Sequence, residues 1–535
     1  LDANDGRNLG ITDFRNTLVT RTFTIKNIGN LPLNITEVII SNPNFSISEP
    51  LSNTVASGMD TTFTVSFTRT CANSGDNAAT ITIVSNDSDE PSFTFAVSAF
   101  NSILATFFVD ASRPDNSGDG TSFATAFKEL QFAIDNACST AEIRVAQGIY
   151  TPTEAPDSTT TDLRKRAFHL NTDLIIKGGY DVGTGLQDVN TPSILSGDFN
   201  NDDVFSGSDI TGNTENAYHV FVTANLSNTS ILDGFKIAAG NASLDENMSF
   251  GGESFSYQYG GGMANVSSSL TLTNVTFLNN FGVSGGGLYS SSSTSTLTNV
   301  IFLNNFATIG AGLYNNLNSS DMTLLNVVFL QNSASIIGGG MCSYNGALAT
   351  LINVTFLQNS ALVSGSGGAI ISTSTDAFTL YNTIFYGNIA NGVPSGVLAA
   401  SIQVNSSNNA SDVIVEGISG STNFVALTAD PFVNINDPVG ADGVFGTLDD
   451  GLYVTVSSGL INSGLAVVGS PVNDIVGTTR LSSPSIGAYE DFPQEIVVEG
   501  NSINIVNNDS APEVLDGTNL GAITIGTTAM STFTI

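Results

Sequence analysis

Two segments of the sequence place carboxylate and amide side chains at short intervals in glycine-containing loops. Calcium in proteins binds about six to eight oxygen atoms, and such side chains can supply them together with backbone carbonyls. Neither segment matches the complete EF-hand pattern, and the alternative is a solvated turn in which Asp and Asn tolerate a tight backbone. We predict that these loops bind Ca²⁺ as a structural ion. The candidate ligands are Asp198, Asp202 and Asp203 in the first loop, and Asn436, Asp437, Asp442, Asp449 and Asp450 in the second.

Groups that could act in catalysis are scarce in the middle of the chain. No Lys or Arg occurs between Lys236 and Arg480, and residues 260–400 contain two acids, Asp321 and Asp376. Elimination on a uronate needs a cation and a base, and glycoside hydrolysis needs two facing carboxylates. The sequence therefore predicts that the chain is not an enzyme.

The remaining candidates for chemistry are two histidines and two tyrosines. His169 and His219 lie in strand-like segments without a matching Ser or Asp arrangement, so we expect them to be packed or hydrogen-bonded. Tyr289 and Tyr314 follow a repeated glycine motif and could stack on a sugar, although residues that cover a corner would have the same spacing. A carbohydrate-binding or carbohydrate-cleaving protein is therefore the alternative function.

The overall charge argues against two classes of partner. The chain has 14 Lys and Arg against 48 Asp and Glu, which gives a formal net charge of -34. A protein that neutralises phosphates needs a basic patch, so we expect no nucleic acid partner. No apolar run of about 18 residues occurs, so we expect no helical membrane span.

Three cysteines, Cys71, Cys138 and Cys342, lie far apart in the sequence. They form neither a CxxC pair nor a cluster with histidine, so neither a disulfide framework nor a zinc site is indicated. We expect three small buried thiols, since free cysteines are among the most buried residues.

Two short motifs alternate from residue 259 onwards. The glycine motif occurs at residues 260–263, 285–289, 310–314, 338–341 and 367–370. The second motif has the form FxxN and begins at Phe277, Phe302, Phe329, Phe356 and Phe385. These phenylalanines are separated by 25, 27, 27 and 29 residues, which suits one coil of three strands and is too short for a propeller blade. The period predicts a parallel β-helix.

In such a coil, equivalent side chains stack at a spacing of about 4.8 Å. Alternation within segments such as TLTNVTF directs Leu, Val and Phe inward and Thr and Asn outward. We therefore expect stacked Phe rings inside, Asn ladders along the coil, and glycines at corners where a Cβ would collide. Ligand contact is the alternative role for the Asn side chains.

The alternation of GG[GA][ILM] and FxxN resembles the repeat of the chlamydial polymorphic outer-membrane protein family over about residues 104–490. The passengers of that family are right-handed parallel β-helices displayed outside the cell and implicated in adhesion. The resemblance implies the same right-handed fold, which we place at residues 103–492, and a location on a bacterial surface. Most glycine motifs here read GGG or GAG and no autotransporter barrel follows, so we expect no membrane insertion by this segment.

An amphipathic segment precedes the repeats. Phe127, Leu130, Ile134 and Ala137 recur on one face of a predicted helix. A parallel β-helix has unpaired strand edges at its ends, and a helix over the first coil covers one of them. We predict a capping helix near residues 125–138.

The N-terminal residues contain short alternating segments separated by Gly, Asn and Pro turns, a pattern typical of a β-sandwich. The predicted strands are residues 22–25, 33–40, 61–67, 79–84 and 93–97. The segments TFTIKNIGNLPLNITEV and ATITIVSNDSDEPSFTFAVSA resemble the Ig-like choice-of-anchor D modules of bacterial surface proteins. We therefore predict an Ig-like sandwich over residues 1–102.

The two ends of the chain carry related sequences. The motif DGxNLG occurs near both ends, and TFTI occurs at residues 22–25 and again at 532–535. Residues 493–535 are therefore expected to be the first strands of a second Ig-like module, a C-terminal part-sandwich. The N-terminal sandwich is expected to lack the strands equivalent to residues 495–506. A part-sandwich of this size cannot bury a core alone, so each end should be completed by another copy.

Two arrangements would complete the modules: a covalent tandem array, or strand exchange between separate molecules. In both, head-to-tail contacts that do not close into a ring generate a filament. The sequence thus predicts an all-β structural unit of an extracellular filament or stalk on a bacterial surface. Its partners would be neighbouring copies of itself, and its purpose would be adhesion to a host-cell or glycan receptor.

Overall fold

The structure is a computed structural model that describes residues 6–13, 15–157, 161–206, 209–317, 320–363, 367–372, 378–395, 397–399, 406–412, 422–490, 499–500, 503–504, 518–519 and 533–534. Within these residues the chain is nearly all β-structure, with one α-helix, α1 (Leu130–Asn136). No helix in the described part is long and apolar enough to cross a membrane.

The N-terminal domain is a sandwich of two sheets. Its strands are β1 (Asn8–Thr12), β2 (Leu18–Lys26), β3 (Leu33–Ile40), β4 (Phe45–Ile47), β5 (Thr54–Val55), β6 (Asp60–Thr68), β7 (Gly75–Ser85) and β8 (Ser92–Asn101). One sheet has the order β1-β8-β7-β3-β5 and the other β2-β6-β4. Alternate residues such as Phe63, Val65 and Phe67 point between the sheets and are buried, which is the period of two that predicted these strands.

The second domain is a coil of short strands. Its first part contains β9 (Thr106–Val109), β10 (Glu142–Ala146), β11 (Ile149–Tyr150), β12 (Phe168–Leu170), β13 (Ile175–Tyr180), β14 (Ser193–Ser196), β15 (Val204–Ser206), β16 (Asp209–Thr211), β17 (Phe221–Ala224), β18 (Ile231–Ala238), β19 (Asn241–Ala242), β20 (Asn247–Phe250) and β21 (Glu253–Ser256). The regular coils contain β22 (Met263–Val266), β23 (Thr271–Leu278), β24 (Phe281–Ser284), β25 (Leu288–Ser291), β26 (Thr296–Leu303), β27 (Phe306–Ile309), β28 (Leu313–Asn316), β29 (Asp321–Leu325), β30 (Val328–Leu330), β31 (Ser333–Ile337), β32 (Met341–Tyr344), β33 (Leu348–Ile352), β34 (Thr355–Leu357) and β35 (Ser360–Ala361). The last coils contain β36 (Ile370–Ser372), β37 (Thr379–Tyr381), β38 (Ile384–Tyr386), β39 (Ile389–Ala390), β40 (Val393–Pro394), β41 (Val397–Ala399), β42 (Ala410–Ser411) and β43 (Val425–Ala426).

Three long sheets form the faces of this coil. They contain 16, 8 and 7 strands, and almost all neighbouring strands within them are parallel. In the regular part, each turn contributes a strand to each sheet; for example, β23, β24 and β25 belong to the three different faces. This is a parallel β-helix, as the period predicts.

The phenylalanine ladder fills the interior. Phe277, Phe302, Phe329, Phe356 and Phe385 are paired in register and are buried. Successive ring centroids lie 4.9, 4.7, 4.5 and 5.1 Å apart, and the ring planes are within 5° of parallel. The predicted stacking is confirmed.

An asparagine ladder runs beside it. Each Nδ2 of Asn280, Asn305, Asn332 and Asn359 donates to the Oδ1 of the Asn in the next coil, at 2.9–3.0 Å, and the last acceptor is Asn388. All five side chains are buried. A second ladder joins Asn274, Asn299, Asn326, Asn353 and Asn382, whose φ angles of 50–57° place them in the left-handed region that Asn tolerates. The structural role predicted for the Asn residues is confirmed.

The glycine motif has two separate requirements. Its first residue has positive φ, for example +61° at Gly310. Its third residue lies under the Phe ladder, where a Cβ on Gly312 would come within 2.5 Å of the Gly340 carbonyl oxygen and 2.9 Å of the Phe329 ring. The predicted collision therefore occurs against both the backbone and the ring.

The capping helix lies at the start of the coil. The helix α1 is shorter than the predicted segment, but Phe127, Leu130 and Ile134 are buried and join the interior cluster. It packs beside β9, β10 and β12, the first strands of the coil.

One expectation about the cysteines is wrong. Cys71 and Cys138 form a disulfide with Cα atoms 5.5 Å apart, and Cys342 alone is a buried free thiol. Cys71 lies in a turn of the sandwich, and Cys138 follows the capping helix. The bridge therefore joins two domains whose packing against each other is not visible in local sequence patterns.

The coil also ends before the predicted boundary at residue 492. The last parallel pairing joins β42 to β43, and residues 427–490 form no further coil. Instead, Leu452, Tyr453 and Ile486 cover outward-facing residues of the largest sheet, including Val328 and Leu330. That sheet is apolar on both faces, and the following segment shields its outer face from water.

The C-terminal part-sandwich lies largely outside the described residues. The described pieces are β44 (Glu499–Gly500), β45 (Ile503–Asn504) and β46 (Phe533–Thr534), which form one antiparallel sheet in the order β45-β44-β46.

Candidate functional site

The first candidate site is an open edge of the Ig-like sandwich. The strand β2 is the outer strand of its sheet and pairs with β6 on one side, with Phe23 opposite Phe63. No described strand pairs with its other side. An unpaired edge presents a row of backbone N–H and C=O groups that can bind another strand.

An apolar groove lies along this edge. It has a volume of about 750 Å³ and is lined by residues from both sheets, among them Phe23, Ile25, Leu33, Phe93 and Phe95. The Phe23 ring lies between Phe63 at 5.6 Å and Phe95 at 5.2 Å, measured between ring centroids. Phe93 remains 48% exposed, so the sandwich is not closed on this side.

The C-terminal strands show how such an edge can be covered. In β44 and β46, Glu499 is opposite Thr534 and Gly500 is opposite Phe533, in antiparallel pairing. Phe533 and Thr534 occupy the same positions in the second TFTI motif as Phe23 and Thr24 do in the first. The strand equivalent to β2 therefore has a neighbour at the C-terminal end that β2 itself lacks among the described strands.

The second candidate site is the first acidic loop. Carboxylate oxygens of Asp198, Asp202 and Asp203 lie within 4.8 Å of one another, and no other described group of three His, Cys, Asp or Glu residues meets this spacing. Asp198 shapes the loop, because its Oδ1 accepts hydrogen bonds from the backbone N–H groups of Asn200 and Asn201. Asn201 has a positive φ of 55°.

A fourth acid was missed by the sequence interpretation. Burial raises the pKa of Glu215, and the charges of Asp202 and Asp198 raise it further. Burial and the neighbouring acids Asp198 and Glu215 raise the pKa of Asp203 to about 6. The Oδ1 of Asp203 and the Oε1 of Glu215 are buried without a hydrogen-bond partner in the described structure. Such a group of carboxylates is stabilised by a bound cation or a proton.

The second acidic loop is arranged differently. The exposed Asp449 accepts hydrogen bonds from the Asp442 N–H at 3.1 Å and from the Thr447 hydroxyl at 2.7 Å, and these bonds lower its pKa. Asp450 is buried, and its Oδ2 accepts from the Tyr489 hydroxyl at 2.6 Å. Burial raises the pKa of Asp450 to about 7.

The two adjacent aspartates of that loop therefore do not share a site. Among the described residues, Asn436, Asp437, Asp442, Asp449 and Asp450 do not form a cluster of three carboxylates like that of the first loop. Asn436 and Asp437 are exposed. Among the described residues, three carboxylates thus converge in the first loop and not in the second.

The remaining candidates occupy packing positions. His219 is buried, donates a hydrogen bond from Nδ1 to the Gly260 carbonyl at 2.9 Å, and stacks on Tyr257; burial lowers its pKa to about 4. His169 contacts Phe250. Asp321 is exposed at the start of β29, and Asp376 lies outside the described residues.

The tyrosine pair is part of an aromatic stack. Tyr289 lies between Tyr259 at 4.9 Å and Tyr314 at 5.7 Å, and the stack continues to Tyr344. Tyr289 and Tyr314 are only 6% and 7% exposed, and they pack in the cluster that covers the outside of the 8-stranded sheet. This is the position of a corner-covering residue.

Comparison with known families supports the assignment of the first domain. A family model described as "HYDIN/CFA65/VesB-like, Ig-like domain" matches residues 3–99. The chain thus combines an Ig-like domain of the HYDIN/VesB-like type with a parallel β-helix. A comparison with curated protein sequences gave no match.

Two solved structures are weakly similar to parts of this chain. The pectin methylesterase from Aspergillus niger is 11% identical, with a TM-score of 0.31, and the match covers 61% of this chain and 92% of that chain. The secreted serine protease VesC from Vibrio cholerae is 14% identical, with a TM-score of 0.16, and the match covers 18% of this chain and 22% of that chain. At these values the two likenesses do not bear on activity.

Proposed function

We propose that this chain is a structural unit of an extracellular bacterial surface filament or stalk, whose units are joined head to tail by completion of the Ig-like sandwich. The observation that carries the proposal is the open edge and groove at β2, together with the repeated sequence at the other end of the chain. An open sandwich that exposes apolar rings is expected to aggregate unless a strand covers it.

Two further features support an extracellular, load-bearing unit. The Cys71–Cys138 disulfide ties the sandwich to the coil, and disulfides persist in oxidising compartments outside the cytoplasm. Arg15 adds a hydrogen bond from the sandwich to the Ser117 carbonyl of the coil. A unit with a fixed joint between its two domains transmits its orientation to the next unit.

Adhesion is the purpose that we propose for the assembly. It is supported by the resemblance of the GG[GA][ILM] and FxxN repeats to the chlamydial polymorphic outer-membrane proteins, and by the resemblance of the first domain to choice-of-anchor D modules. The receptor would be a host-cell protein or a glycan. We propose no catalytic role, because no Lys or Arg occurs between residues 237 and 479 to act as a cation or a base on a uronate.

We also propose that Ca²⁺ binds as a structural ion at the first acidic loop, with Asp198, Asp202, Asp203 and Glu215 as ligands. Support comes from the convergence of the three aspartates and from the buried, unpaired oxygens of Asp203 and Glu215. A cation would remove the repulsion that raises the pKa of both groups.

Electron microscopy of the purified full chain tests the proposed assembly. At rising protein concentration we expect linear chains of units that are one molecule wide. A chain that remains monomeric by light scattering, and that shows no linear assembly in material from the native source, would contradict the proposal. The same material, incubated with common polysaccharides, should release no reducing ends or unsaturated uronates.

A further inference from the structure

The open edge of β2 can be assigned a specific occupant, if the head-to-tail joining proposed above holds. We propose that β2 binds residues 495–500, the segment that ends in β44, from a second copy of this chain, antiparallel, with Glu499 opposite Thr24 and Gly500 opposite Phe23. The register is taken from β44 and β46, where Glu499 is opposite Thr534 and Gly500 is opposite Phe533. It transfers to β2 through the shared TFTI motif.

The side-chain pattern of the incoming strand agrees with this register. Residues directly opposite in an antiparallel pair point to the same face. Phe23, Thr24 and Ile25 all border the groove, but Thr24 is exposed, whereas Phe23 and Ile25 are half-buried. Residues at even positions from 496 to 500 would therefore face the groove, and these are Ile496, Val498 and Gly500.

The groove offers what those residues need. Val498 would be opposite Ile25, so two aliphatic side chains would meet at the edge of the apolar cavity. Gly500 would be opposite Phe23, whose ring already lies against Phe63 and Phe95, and a residue without a side chain leaves that ring its space. Shifting the register by one residue would turn Glu499 into the groove and expose Val498.

This mode of binding is β-strand addition. The backbone of the added strand supplies hydrogen bonds to the free side of β2, and alternate side chains supply specificity by filling the groove. The occupant is named by the chain's own sequence, since residues 495–506 precede the second DGxNLG motif and β44 within them pairs with the strand of the second TFTI motif.

Disulfide trapping between two full-length variants tests the register. Thr24→Cys and Glu499→Cys chains are mixed under a mild redox buffer, so that a cross-link between these positions can form only between two molecules. Opposite residues have Cα atoms within disulfide range, whereas diagonal ones lie at about 7–8 Å. We therefore expect Thr24→Cys to cross-link to Glu499→Cys about tenfold faster than to the control Val497→Cys, which is also outward-facing. The product runs at twice the 55.4 kDa mass of the chain, and mass spectrometry identifies the linked peptides.

The outcomes separate this inference from the proposed function. Equal rates with both partners, or no 24–499 cross-link in chains that do form linear assemblies, would overturn the inference and leave head-to-tail joining in place by another contact. For chains that stay monomeric, a synthetic peptide of residues 494–506 carrying Glu499→Cys replaces the partner at millimolar concentration. Cross-linking of this peptide, and not of one with a scrambled sequence, supports the inference even when the chains do not assemble. Failure of the peptide to cross-link, or equal reaction of the scrambled one, overturns it.

Discussion

Replacing Phe329 by Ala removes one ring from the middle of the phenylalanine ladder. The ring is buried and lies between Phe302 at 4.7 Å and Phe356 at 4.5 Å, with nearly parallel planes on both sides. A buried Phe→Ala change costs about 3–5 kcal/mol, and each aromatic contact contributes about 0.5–1.5 kcal/mol beyond area burial. The neighbouring strands are held at the ladder spacing by hydrogen bonds, so the cavity cannot collapse. We expect a loss in the upper half of that range, about 4–5 kcal/mol.

Phe306 provides the matched control. It is also a phenylalanine of the repeated coils but is only half-buried, so Phe306→Ala should cost about 1–2 kcal/mol. A chain of two domains does not unfold in one step, so the free energy of local opening is measured by hydrogen exchange in the peptides that contain β26, β30 and β34. Equal losses in the two variants, or a loss below about 1 kcal/mol for Phe329→Ala, would refute the stacking argument.

Three further outcomes are expected. The Cys71→Ser change removes a cross-link that spans 67 residues, worth about 4 kcal/mol by the loop-entropy model. The variant should have a lower unfolding midpoint of the sandwich, and residues 102–105 should become open to proteolysis. An unchanged midpoint would contradict this expectation. A chelator should lower the unfolding midpoint of the native chain and of the Asp442→Asn variant, but not that of the Asp203→Asn variant. If the chelator has no effect on the native chain, the proposal of calcium at the first loop is wrong. As the pH falls from 6.5 towards 4, His219 protonates in the unfolded chain before it does so in the folded chain, so stability should fall by about 3 kcal/mol and then level off below pH 4. The variant His219→Gln should lack this component of the pH dependence, and an identical pH profile in both chains would exclude it.

The repeated coils could be predicted from the sequence because stacking imposes identical residues at each coil. Each Phe must meet the Phe of the next coil at the strand spacing, so the interior position repeats in the sequence with the coil period. The same holds for the Asn ladder that begins at Asn280, since each amide needs an identical partner above and below it. Local alternation was sufficient there, because every contact is made between neighbours in the repeat.

Contacts between distant parts of the chain could not be predicted from local sequence patterns. The Cys71–Cys138 bridge depends on how the sandwich sits against the capping helix, which neither sequence pattern encodes. The covering of Val328 and Leu330 by residues from 427–490 likewise depends on where the chain returns. In the sequence, these outward apolar residues are indistinguishable from the inward ones.

The acidic loops illustrate the same limit at the level of a site. Spacing alone suggested two cation loops, but Asp449 and Asp450 point to different surroundings, one to the loop backbone and one to Tyr489. Glu215, by contrast, lies outside the predicted loop and approaches the three aspartates through the fold. The spacing of possible ligands in the sequence therefore indicates a candidate loop, but the positions of the flanking strands determine which oxygen atoms converge.

The charge of the chain bears on how units can join. Two copies that each carry a formal charge of -34 repel one another at long range, and no Lys or Arg between residues 237 and 479 offers an attractive patch. Strand addition needs no such patch, because backbone hydrogen bonds and the filling of an apolar groove act only at contact. Sideways contact between two coils gains neither, since their interiors are filled and their ladders are satisfied within each coil. In the proposed assembly, association would therefore be restricted to the one matched edge, and association at a single heterologous edge would produce a line of units instead of a mass.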